Sequence, residues 1–146
     1  MSLIDRINED IKIAMKEKNT FDLSVIRMLK GAIQLELIKK KELSDEDIIG
    51  IVSKQVKMRK DSIEEFKKGN RDDLVEQYEK EIEVLTKYLP EQLTIEEVNK
   101  ILDEAFNKIN PTSNKEMGLI MKEISPKVKG RYDMQEISTL IKERLN

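Results

Sequence analysis

Residues 44–71 read SDEDIIGIVSKQVKMRKDSIEEFKKGNR. Ile48, Val52, Val56, Arg59, Ile63 and Phe66 recur at intervals of three and four, the period of one helix face. Ser44 offers a side-chain oxygen to an orphan backbone N–H, and Asp45, Glu46 and Asp47 set carboxylates on the positive end of the helix dipole. Gly69, followed by Asn70 and Arg71, reads as the stop. The one charge on the apolar stripe is Arg59. Its stem must be partly buried, and a half-buried guanidinium takes a carboxylate or a phosphate; an internal ion pair is favoured over an external anion.

The same period extends outward. Ile4, Ile7, Ile11 and Ala14 form one face; Leu23, Ile26, Leu29, Ile33 and Leu37 a second; Leu74, Tyr78, Ile82 and Leu85 a fourth. Ser2, Thr20 and Asp72 are the expected N-caps. No segment alternates with period two, and all three prolines follow Leu89. Leu89–Leu93 breaks the pattern as a linker. Beyond it, Thr94 with Glu97 and Ser113 with Glu116 have capping-box spacing, and Asp133 with Glu136 repeats it with Asp as the cap. They predict helices over 95–109, 114–128 and 134–145, with Pro126 kinking or shortening the middle one. The expected fold is all-α, with an N-terminal four-helix subdomain over 1–90 and a smaller C-terminal three-helix bundle over 91–146. Each half alone buries little surface, so packing between the halves is expected to contribute to stability.

Composition narrows the chemistry. The 146 residues include no Cys and no His, which excludes disulfides, Cys-ligated metal centres and every His-based triad. The five glycines are scattered, so no phosphate-binding glycine loop is present. Glu76, Glu79 and Glu83 read as a solvated helix face beside Lys80 and Lys87, not as a metal site. Lys60 and Ser62, two residues apart on one helix, point in different directions and make no catalytic pair. No catalytic residue, cofactor or metal is expected. No apolar run approaches the ~20 residues of a membrane span. Charges throughout Met1–Lys12 argue against a signal peptide, so the expectation is a cytoplasmic protein without membrane contact.

Net charge is −2, but residues 21–71 carry +3, residues 72–110 carry −7 and residues 111–146 carry +2. The basic positions fall into groups: Arg27 and Lys30; Lys57, Arg59, Lys60, Lys67, Lys68 and Arg71; and Lys127, Lys129 and Arg131. Lys39, Lys40 and Lys41 suit a helix C-terminus instead. Around Gly130, basic side chains stand beside a fresh helix N-terminus, an arrangement that suits phosphate, and Tyr132 offers a stacking surface for a base. Asp133 is expected to cap the last helix, with Lys129 and Arg131 facing solvent. The candidate RNA contacts are Arg27, Lys30, Lys57, Arg59, Lys60, Arg71, Lys127, Lys129 and Arg131. The acidic 72–110 region supports the alternative of a protein-interaction module for a basic partner.

Read in order, these clusters resemble the YqeY family, whose members are related to the C-terminal tail of GatB, a subunit of the tRNA-dependent amidotransferase. The matching runs are Arg27–Lys30, Lys57–Ser62, Phe66–Leu74, Glu79–Ile82, Tyr88–Leu93, Met117–Met121 and Val128–Arg131. Tyr132 and Met134 depart from the small residues the family tends to carry there. The resemblance implies an all-helical protein of two subdomains and a tRNA-contacting role, with amide chemistry located elsewhere in the amidotransferase. It implies tRNA as partner, with an amidotransferase or another part of the aminoacyl-tRNA machinery. A label of carbon–nitrogen ligase with glutamine as amido-N-donor would be inherited by homology alone.

Overall fold

The computed structural model describes residues 1–146 as seven α-helices with no strand. They fall into two compact units, Met1–Leu89 and Pro90–Asn146.

The first unit contains α1 (Leu3–Lys16), α2 (Thr20–Lys39), α3 (Asp45–Lys68) and α4 (Asp72–Thr86). Ser2 and Ser44 cap α1 and α3 in full capping boxes closed by Asp5 and Asp47. The other two expected caps are corrected. The oxygen that accepts the Asp22 N–H belongs to Asn19, so Thr20 is already helical. Arg71, not Asp72, stands at the cap of α4 and makes no side-chain capping bond. Gly69 ends α3, but the left-handed residue is Asn70 at φ 58°, a conformation Asn tolerates better than most side chains. Ile7, Leu29, Ile33, Ile48, Val52 and Leu85 are fully buried in one core with Val25, Ile26 and Val84. Each such side chain contributes about 1.5–3 kcal/mol by leaving water.

The second unit contains α5 (Ile95–Ile109), a 3-10 turn at Asn114–Glu116, α6 (Met117–Val128) and α7 (Met134–Leu145). Thr94 and Glu97 form the predicted box at α5. The box predicted at Ser113 does not form. Glu116 reaches one residue further back, accepting from the Thr112 N–H and hydroxyl, and the chain enters α6 through the 3-10 turn. Pro126 is accommodated two residues before the end of α6. Gly130 takes φ 74° after that end, and Asp133 caps α7 by accepting from Gln135 N–H at 2.8 Å. Val98, Leu102, Ile120, Ile124, Val128, Ile137 and Ile141 form this unit's core, with no exposed surface.

Candidate nucleic-acid interface

Arg59 lies on the buried stripe of α3, as its spacing demands. Its Nε donates to Glu81 Oε1 on α4 at 2.9 Å, with the two side chains only 8% and 7% exposed. Nη1 donates to the Gln55 carbonyl and to Gln55 Oε1, both at 3.1 Å, and Gln77 Nε2 donates to Glu81 Oε2 at 3.0 Å. This four-residue network belongs to the α3–α4 contact, and it corrects the inclusion of Arg59 among outward phosphate contacts. Glu81 was legible as its partner: Leu74, Tyr78, Glu81 and Leu85 share one helical spacing, which puts the carboxylate on the apolar face of α4.

Other cations of the first unit divide in two. Lys57 pairs with Asp61 one turn along α3 at 3.4 Å. Arg71 holds both Asp73 oxygens at 3.1 Å; that bond raises the guanidinium pKa and lowers that of the carboxyl. Lys67 and Lys68 face Glu64 and Glu65 on an exposed surface. Arg27, Lys30 and Lys60 have no carboxylate within salt-bridge distance, and Arg27 Nη2 lies 3.8 Å from Met15 Sδ on α1.

In the second unit, Lys127 and Lys129 are exposed and unpaired. Arg131 is not. It is half-buried, its Nε donates to the Glu91 carbonyl at 2.9 Å and its Nη1 to the Lys127 carbonyl at 3.1 Å. The Leu93 N–H donates to the Arg131 carbonyl at 2.8 Å, and Gln92 Nε2 donates to the carbonyls of Pro90 and Gly130. Arg131 therefore ties the 90–93 segment to the turn after α6, which corrects the expectation that it faces solvent. Tyr132 packs on the core of this unit and walls an open cleft of about 520 Å³ with Ile95, Leu140 and Glu136. Burial and then the Glu136 carboxylate raise its phenol pKa. The first-turn N–H of Gln135 is taken by Asp133, so an anion at this turn would meet lysine side chains rather than that backbone group.

Of the nine candidate contacts, Arg27, Lys60, Lys127 and Lys129 are exposed and Lys30 half-buried, all without a carboxylate partner; Lys57, Arg59 and Arg71 pair with carboxylates, and Arg131 donates to two backbone carbonyls. No three acidic side chains come together to hold a metal ion. No helix is long and apolar enough to cross a membrane.

These features define an all-α protein of two helical units, with polar side chains serving caps, ion pairs and chain-crossing bonds. A family model described as Yqey-like protein matches residues 4–145, and the chain belongs to the YqeY family. Similar proteins include three named altered inheritance of mitochondria protein 41, mitochondrial. The one from Pyrenophora tritici-repentis is 31% identical, over 97% of this chain and 80% of its own length. Those from Clavispora lusitaniae and Lachancea thermotolerans are 32% and 34% identical, over 85% and 86% of this chain and 75% and 67% of theirs. Their names correct the cytoplasmic expectation.

Proposed function

We propose that this YqeY-family chain is a non-catalytic tRNA-binding module that serves the tRNA-dependent amidotransferase or related aminoacyl-tRNA machinery. The observation that carries the reading is that five of the nine candidate contacts have no carboxylate partner: Arg27, Lys60, Lys127 and Lys129, which are exposed, and Lys30, which is half-buried. Unpaired cations are free to displace counterions from phosphate, whereas paired ones must first give up a partner. The resemblance to the GatB tail supports tRNA as the nucleic acid. No nucleophile–base pair or phosphate loop can be assembled from the residues, which supports binding without catalysis.

Charge variants test the reading. Lys127→Ala with Lys129→Ala should weaken tRNA binding and reduce the salt slope by about one per lost phosphate contact. Arg71→Ala, which removes a cation already held by Asp73, should change both much less. Equal effects from the two variants would contradict the assignment. The exposed carboxylates Asp72, Glu79 and Glu83 of α4 support the alternative of a protein-interaction module with a basic partner. A complex that survives nuclease treatment would favour that alternative.

A further inference from the structure

Helix α2 is apolar on two sides, and only one is covered. Val25, Ile26, Leu29 and Ile33 face the core. On the opposite side Phe21, Met28, Leu35 and Ile38 are 37%, 49%, 64% and 82% exposed. With Ser24 and Gly31 they occupy 21, 24, 28, 31, 35 and 38, a strict alternation of three and four residues, which is the seam of a coiled coil. A solvated helix face does not carry this pattern.

Gly31 is the second observation. It sits mid-helix, where glycine weakens a helix relative to alanine, and its φ is helical. A Cβ built there meets nothing within 4 Å. Nothing in the chain itself requires the glycine; Gly50 and Gly118 are equally open within their helices, and Gly31 is the one that falls on the exposed apolar stripe of α2.

We propose that the outer face of α2 is a self-association surface on which α2 of a second copy lies antiparallel. Antiparallel pairing about a two-fold axis between Leu29 and Lys30 sets Met28 against Gly31 of the second copy, Leu35 against Ser24, and Phe21 against Ile38. Large side chains thereby oppose small ones in the inner layers. Parallel pairing would instead stack Met28 on Met28 and leave gaps at Ser24 and Gly31. A cleft of about 370 Å³ beside Ser24, lined also by Phe21, Val25, Met28, Gln77 and Glu81, lies where this pairing would place the second copy's Leu35. On one flank Arg27 comes opposite Gln34, so no like charges meet across that edge. The four large side chains expose about 400 Å² per copy, roughly half the ~800 Å² of a standard partner surface, and the stems of Arg27, Gln34 and Lys39 extend it.

Light scattering across micromolar to submillimolar protein tests the pairing. The expected mass rises toward twice the 17.1 kDa of one chain. Gly31→Leu, whose Cβ would meet nothing within 4 Å in a single copy, should keep its helical circular dichroism and weaken dimerisation by at least about tenfold. The chain has no cysteine, so single-cysteine variants report the register. Under oxidation, a mixture of Ser24→Cys and Leu35→Cys should cross-link, and each variant alone should cross-link far less. A monomer at every concentration, dimerisation unchanged by Gly31→Leu, or equal cross-linking of Ser24→Cys by itself would each overturn the proposal.

Discussion

Two arginines show how far a side chain's surroundings govern its role. Arg59 and Arg131 both lie in basic clusters of the sequence, yet one sits in a buried ion pair and the other bridges two carbonyls. Removing Glu81 would strand the Arg59 charge in a dry contact. Glu81→Ala is therefore expected to destabilise the first unit by about 3–5 kcal/mol in urea unfolding, and Arg59→Met with Glu81→Leu should recover most of the loss. Recovery shows that the penalty comes from the uncompensated charge; an equal loss in the double variant would locate it in packing. At the turn after α6, Arg131→Ala should cost about 1–3 kcal/mol through two lost bonds. Lys129→Ala, on an exposed side chain, should stay within about 0.5 kcal/mol. Equal midpoints for the two variants would show that the Arg131 bonds add nothing.

The elements were largely legible because their period and caps are local. The α3 face from Ile48 to Ile63 is buried as its spacing predicts, and Ser2, Ser44, Thr94 and Asp133 all cap helices. The misses occur where two local solutions compete. Asn19 and Thr20 can both cap, and Asn19, half-buried one residue earlier, takes the bond. Glu116 can close a box to Ser113 or bond Thr112, and it bonds Thr112 twice. The cap of α3 also has a pH signature. The Ser44 N–H, then the Lys40 ammonium, hold the Asp47 carboxyl at about 2, below its usual 3.8. The folded chain thus binds fewer protons here than the unfolded chain. The cap's contribution is complete above about pH 5 and is lost as pH falls toward 2. Asp47→Asn should flatten the acid limb of the midpoint-against-pH curve; an unchanged limb would mean other carboxylates govern acid unfolding.

At the scale of the molecule, the sequence conveyed the all-helical class and the family, because both depend on ordered local runs. It conveyed less of the surface. Whether a lysine is free depends on partners distant in sequence, as with Lys108 and Glu123, 15 residues apart. The outer stripe of α2 is masked in the sequence because the inner stripe alone satisfies the helical period. In the proposed function, Arg27, Lys30, Lys60, Lys127 and Lys129 meet tRNA phosphates. Titration of the full chain with total tRNA over a range of salt concentrations tests it most directly. Binding at micromolar protein in low salt is expected, with affinity falling linearly on logarithmic axes by about 0.9 per phosphate contacted. Absence of binding at low salt, or an affinity indifferent to salt, would contradict it.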